Sequence, residues 1–426
     1  MWIAYLYTIC ENNRSRLRCL FLLALFSVCL MFVWMGYVTR WTQPTSLLSL
    51  SSRDTVTALS RMDCNDVLHT MVRGRWQQQE MSSSDKYEMD LFHMKVRLEL
   101  GLPKGLQRPD LKCGNVTFGS YSPPMHPLQW FRGLCDEAGT TPCCYDNQCQ
   151  NRTLEECACP DCYDMRSAIQ AEFGTWSGEE KDEDGDGRNC DVRRLSVDQI
   201  CEVLEGATLY FIGDSFVRHV YTALLLYARQ NELSGAISPI TPPGIKVACA
   251  GIYMFTEKTC RHWLDRTTSI CHGKTRVKFL EYVYIKQAPS IHRAVMELLN
   301  KTRSLVFIGT GIHDNFNAND TKTTILKPLL QQLRNVTYPR ILWAATHAPG
   351  LLKTPRIQEQ SYESIRRYNK EISDFLSEFD VPVFDTFNMT DGVMSFDGAH
   401  YGMGVNKVKV RVLLAYLLEL YLKHLW

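Results

Sequence analysis

The chain has 426 residues, 45% apolar and 22% charged, with 47 Lys plus Arg against 46 Asp plus Glu and a formal charge of +1. This composition excludes a disordered chain, and without a surplus of cations a nucleic-acid backbone is excluded as the expected partner, because neutralising phosphates needs Lys and Arg in excess. Seventeen Cys are about double the usual load of a reduced cytosolic enzyme, so an oxidising compartment is expected.

In chain order, residues 1–18 read as a cytosolic tail. Cys19 to Val38 holds twenty residues without a charge, matching the ~20 needed to cross a ~30 Å hydrocarbon core as a helix. Arg14, Arg16 and Arg18 precede it and only Arg40 follows closely, so the positive-inside bias keeps the tail cytosolic and sends the rest across. The run exceeds a signal-peptide core and ends near Trp34, Tyr37 and Trp41 rather than at a small-residue cleavage site, which predicts an uncleaved anchor. Residues 39–62 form a Ser/Thr-rich stem. Fourteen Cys lie beyond the span, an even number suited to full pairing. Six glycosylation sequons lie there too, at Asn115, Asn151, Asn300, Asn319, Asn335 and Asn388. Together these features predict a single-pass type II protein of the secretory pathway.

Residues 63–204 are Cys-rich, turn-rich and irregular, a segment expected to rely on cross-links for want of apolar surface to bury. Cys159 and Cys162 form a C-x-x-C, but the crowd of other Cys and the lack of a nearby His favour structural disulfides. Within the segment, Asp182, Asp184 and Asp186 alternate before a Gly turn and Asp191 follows, an arrangement able to wrap Ca²⁺ in oxygen ligands. Arg193 stands where an EF-hand needs a bidentate Glu, and the loop is more similar to the short excalibur-type calcium loop, with Asp191 in place of Glu. A solvated acidic loop explains the charges equally well.

From residue 205 to 426 the texture changes. Strands are predicted at Ala207–Asp214 and near residues 277, 303, 340 and 381. Helices are predicted at Phe216–Arg229, Ser290–Lys301, Thr323–Arg334, Gln358–Phe379 and Val405–Leu425. The alternation predicts an α/β fold with a mostly parallel sheet and helices on both faces. Arg411 and Glu419 interrupt the last helix, so it reads as a core helix rather than a second span. With no Cys after Cys271, this half must be held by packing, while the cross-linked front is expected to fasten to the half before it.

Reactive groups of a parallel sheet gather at the carboxyl ends of its strands. Gly213-Asp214-Ser215 ends the first strand and opens a helix, where exposed N–H groups suit a nucleophile and an oxyanion. Asp and Ser are also favoured N-caps, so the tripeptide alone fits capping too. Far downstream, Asp397-Gly398-Ala399-His400 sets an Asp three residues before a His in the loop preceding the last helix, a base with its orienting carboxylate.

Strand-GDS-helix near the start of an α/β domain with D-x-x-H near its end resembles the SGNH/GDSL hydrolase superfamily. Gly213-Asp214-Ser215-Phe216-Val217-Arg218 fits the GDS-x-x-R of its PC-esterase branch, which includes trichome-birefringence-like and sialic-acid O-acetyltransferase luminal domains. The resemblance covers about half the chain and implies an SGNH-type three-layer α/β/α sandwich, with Ser215 as nucleophile, His400 as general base and Asp397 as its partner. It implies turn-shaping roles for Gly213 and Asp214 and a charge-steadying role for Arg218, although an Arg there can equally pair with a surface acid. Gly251 is the counterpart of the superfamily's oxyanion Gly; His313 stands where its oxyanion Asn would be, with Asn315 as the alternative donor. Water as second acceptor would give a glycan O-acetylesterase; a sugar hydroxyl, with acetyl-CoA or another acyl donor, would give an O-acyltransferase. The membrane topology resembles that of Golgi glycan-modifying enzymes and favours transfer to a glycan or glycoconjugate. Oligomeric state is not encoded in any of these features. A type II glycosyltransferase using Asp182-Glu183-Asp184 or Asp184-Gly185-Asp186 on a metal-bound nucleotide sugar is the competing class, but it leaves the Ser and D-x-x-H unexplained.

Overall fold

In the computed structural model, residues 66–426 are described, apart from 79, 104, 121–129 and 179–195. The apolar segment 19–38, the stem, Cys64, Cys190 and the acidic loop with Asp182, Asp184, Asp186 and Asp191 lie outside the described residues.

The front of the described chain is less irregular than its composition predicts. After strand β1 (Gly74–Gln77) runs an eighteen-residue helix, α1 (Ser83–Leu100). Ser82 caps it by accepting from the Asp85 N–H, and Gly101 ends it at φ 72°, a left-handed conformation that glycine adopts without strain. These cap residues were readable in the sequence; the helix was missed because its polar composition gives no clear apolar period. Strands β2 (Cys143–Tyr145), β3 (Gln148–Gln150) and β4 (Tyr163–Asp164) make a small antiparallel sheet, and β5 (Thr175–Gly178) pairs back onto β1. Disulfides Cys113–Cys144, Cys135–Cys149, Cys143–Cys157 and Cys159–Cys162 stitch this region internally. Cys159 and Cys162 pair with each other across the C-x-x-C.

After α2 (Val197–Val203) comes a six-stranded mixed sheet. In chain order its parts are β6 (Thr208–Gly213), α3 (Ser215–Ala228), β7 (Thr267–Ile270), β8 (Thr275–Glu281), α4 (Ala288–Met296) and β9 (Ser304–Gly309). There follow α5 (Lys327–Gln332), β10 (Arg340–Ala344), α6 (Tyr362–Ser377), β11 (Val383–Phe384) and α7 (Met403–Leu422). The spatial order is β11-β10-β9-β6-β8-β7, all neighbours parallel except β7 against β8. That antiparallel edge strand was not predicted; TTSI is too short to show a period. A π-helical turn, Thr321–Leu326, opens the predicted helix at Thr323–Arg334, because Pro328 offers no N–H to the carbonyl four residues back.

Strand alternation sorts the core. Ile212, Val306, Ile308 and Trp343 face α4, α5 and α6, while Phe211, Phe307 and Phe384 form an aromatic row on the opposite face, continued by Tyr221 of α3. Helix α7 packs beside α3, and among the described residues no helix is long and apolar enough to cross a membrane. All six sequon asparagines are exposed.

The front segment is fastened to both halves, not only to the first. Cys201–Cys271 ties α2 to the β7–β8 turn, and Cys249–Cys260 closes a loop after α3. Non-covalent contacts reach the second half: the Trp76 indole N–H donates to the Met389 carbonyl, and Glu172 accepts the Gly404 N–H at the start of α7. Closing the loop of separation 70 between Cys201 and Cys271 is worth ~4 kcal/mol in the chain-entropy picture. The paired Cys201→Ser, Cys271→Ser variant is therefore expected to melt several degrees lower than the parent by circular dichroism, with an unchanged melting point counting against that role.

Candidate functional site

The β6–α3 turn is shaped by steric necessity. Gly213 lies opposite Gly309 in the β6–β9 pairing, and a Cβ at 213 would come within 2.0 Å of the Gly309 carbonyl oxygen. Asp214 follows as N-cap, its Oδ1 accepting the Phe216 N–H at 3.0 Å, and burial pushes its carboxyl up to about 6. Ser215 is thus delivered to the first position of α3, where its own N–H has no intrahelical acceptor.

The second arm arrives from the turn before α7. Asp397 Oδ1 accepts the N–H groups of Ala399 and His400 at 2.9 and 2.7 Å, folding the tetrapeptide into a tight turn. Its Oδ2 lies 2.6 Å from His400 Nδ1. With Nδ1–H donating to the carboxylate, Nε2 is left as acceptor, and it stands 2.7 Å from Ser215 Oγ. Burial would lower the basicity of His400, but Asp397 and then Glu257 outweigh it, and the imidazole is raised above its ordinary value. Asp397 is correspondingly held below the usual carboxylate range, as contact with His400 overcomes its burial. The rings of Phe216 and Phe396 lie 5.5 and 6.1 Å from His400 and limit its movement.

The remaining expected residues divide. Arg218 is near the site but is only 3% exposed: its guanidinium pairs with Glu257 and, at 3.1 Å, with Glu281 Oε1, whose other oxygen takes Arg266 at 2.6 Å. The Gly251 N–H donates to the Leu233 carbonyl at 2.9 Å, so it is not free for an oxyanion. Its φ of +59° fits a glycine-shaped turn. His313 sits exposed in the 3-10 turn Ile312–Asp314, with its ring edge-on to Tyr284 and its basicity lowered chiefly by partial desolvation. Asn315 directs Oδ1 to Gln360 Nε2 at 2.9 Å. Among the described residues no hydrogen bond joins His313 or Asn315 to the Ser215–His400–Asp397 relay. Glu257 and Glu281 escaped the sequence reading; Glu281 ends β8 at the carboxyl edge of the sheet, a usable signal, whereas Glu257 lies in a turn with none.

A second buried pair lies behind the relay. Lys409 of α7 is 3% exposed and its Nζ is 3.0 Å from His347 Nδ1, while His347 Nε2 donates to the Ala399 carbonyl at 2.7 Å. Burial pushes Lys409 down to about 7, from an ordinary 10.5. The unfolded chain therefore binds more protons than the folded one between those values, and this position's contribution to stability rises with pH across that window. The unfolding free energy of the parent relative to Lys409→Met is expected to grow from pH 7 to pH 9 in denaturant titrations; a constant difference would mean that Lys409 keeps its proton in the fold and would contradict a buried neutral amine. No protein-family model matches the chain, and no curated protein matches it in sequence.

Proposed function

We propose that the chain is a serine-dependent O-acyltransferase of the SGNH type, close to the PC-esterase branch, that moves an acyl group, most simply acetyl, onto a glycan hydroxyl. The single observation supporting this reading is the hydrogen-bonded relay from Ser215 Oγ to His400 Nε2 and from His400 Nδ1 to Asp397. Its setting is consistent with the reading: a Ser at the start of the helix after the first sheet strand, and a D-x-x-H turn before the last helix. A Golgi location, with segment 19–38 as the membrane anchor, belongs to the same proposal and is supported by the disulfides and the six exposed sequons.

Ser215 Oγ attacks the acyl carbonyl carbon of the donor while His400 Nε2 takes the hydroxyl proton. His400 returns that proton to the leaving group, a thiol if the donor is acetyl-CoA, as the tetrahedral adduct collapses to an acyl-serine. An acceptor hydroxyl then attacks the ester, giving its proton to His400, which passes it to Ser215 Oγ as the serine leaves. Throughout, Asp397 fixes the imidazole tautomer and stabilises its charged form. The Ser215 N–H at the start of α3 is suitably placed to donate to the oxyanion.

The test is to incubate the full chain with acetyl-CoA and a mixed glycan set and read product masses. Gain of one acetyl supports transfer; loss of acetyl from acetylated glycans would make the relay an esterase, and a hexose increment from a nucleotide sugar would favour the glycosyltransferase class. Ser215→Ala and His400→Ala are each expected to lower transfer at least ~10⁴-fold, and Asp397→Asn about 10³–10⁴-fold, with the chains still folded and reaching the same membrane as the parent. Transfer undiminished in Ser215→Ala would remove the proposal.

A further inference from the structure

His400 has a second carboxylate beside it. Glu257 Oε1 lies 3.8 Å from His400 Nε2, on the side of the ring away from Asp397. This carboxylate is built in from several directions. Arg218 pairs with Oε1, and the neutral His219 donates Nε2–H to the same oxygen at 2.9 Å; His219 is kept neutral by burial, which pulls it down to about 4. The loop bearing Glu257 is closed by Cys249–Cys260 and held by α1, whose Phe92 packs on Tyr253 and whose Lys95 donates to the Ala248 carbonyl. Desolvating a carboxylate carries a cost that a purely structural turn would avoid by using a neutral residue.

Geometry indicates when that carboxylate becomes useful. In the resting relay, Nε2 presents a lone pair to Ser215, and a lone pair facing a carboxylate gains nothing. Once Nε2 has taken the serine proton, the same 3.8 Å separation becomes an attraction between an imidazolium and an anion. An interaction present only after proton transfer lowers the barrier without tightening the ground state. We propose that Glu257, anchored by Arg218 and His219, is a positioning residue that stabilises the protonated form of His400, so that the Arg of the GDS-x-x-R run acts through Glu257 and not on substrate. The catalytic part of this inference rests on the proposed function; the electrostatic coupling does not.

The charged and titratable groups facing His400 are Asp397 from its own turn, Glu257 from the 251–257 turn, and Arg218 and His219 from α3. Asp214 at the cap of α3, His347 just past β10 and His313 complete the set. Because Glu257 favours the charged imidazole, removing its charge makes His400 lose its proton at lower pH. The experiment follows the ring resonances of His400 against pH in the isotope-labelled full chain, assigned by their absence in His400→Gln. In Glu257→Gln the titration is expected to move to lower pH, while Glu257→Asp, which keeps the charge, returns it toward the parent. The acid limb of kcat/KM should move in the same sense, with a loss of roughly tenfold to a hundredfold at neutral pH. A His400 midpoint in Glu257→Gln equal to the parent's overturns the proposal whatever the activity. If Glu257→Gln fails to fold, Glu257→Ala, which also removes the charge, serves instead, and a His400 midpoint equal to the parent's in that variant overturns the proposal. Ser215→Ala that leaves transfer intact would remove the enzymatic reading while leaving this coupling in place, so the two failures are distinguishable.

Discussion

The hydrogen bond between Ser215 Oγ and His400 Nε2 spans 185 residues of chain, and at 2.7 Å it tolerates little slack in either arm. One arm is set by the centre of the sheet. Gly213 and Gly309 allow β6 and β9 to approach where a side chain would collide, so Ser215 emerges at a fixed height above the strand ends. The other arm is a turn with few strands near it, and its rigidity has to be imported. Phe92 of α1 packs edge-on against Phe396, which in turn stacks on the His400 ring. Glu172 accepts backbone N–H groups at the start of α7, the orphan donors every helix leaves there. Gly402 and Gly404 make room for it, since a Cβ at either would meet Glu172 at 2.3 and 2.5 Å. The cross-linked front is thus a brace for the relay.

Charge burial is the second constraint. Asp214, Arg218, His219, His347 and Lys409 are each 5% exposed or less, and each is matched. Asp214 caps a helix, Arg218 lies between Glu257 and Glu281, His219 donates to Glu257, and Lys409 and His347 join into a chain that ends on the Ala399 carbonyl beside His400. Breaking one partner of such a set leaves an uncompensated group in a low-dielectric interior, which costs more than the pair itself contributes. The site is therefore rigid by electrostatics as much as by packing.

Much of the architecture was legible before any coordinates. The five strands of the parallel order, the core nature of the last helix and the placement of Ser215 at the opening of the helix after the first sheet strand and of Asp397 and His400 in the loop before the last helix follow from periodicity, capping chemistry and the resemblance the motifs carry. Helix α1 was not, because its polar surface conceals the few buried positions, Met89, Phe92 and Val96, that matter. Gly251 was misjudged because a glycine signals a backbone need without saying which carbonyl will claim its N–H. Arg218 was read as exposed or substrate-facing because the acids that enclose it, Glu257 and Glu281, lie 39 and 63 residues away.

Local interactions have local signatures, and those the sequence determined by itself: a strand that ends in Gly-Asp-Ser and opens a helix, an Asp that folds a four-residue turn around its own His, and disulfide-rich chemistry confined to residues before 272. Only the tertiary structure decided which distant groups share a face. The meeting of Ser215 with His400, the second carboxylate at Glu257, the Lys409–His347 pair and the bracing of the site by α1 depend on crossover connections and helix packing, whose outcome is set by the summed burial of the whole core and carries no mark at any one position.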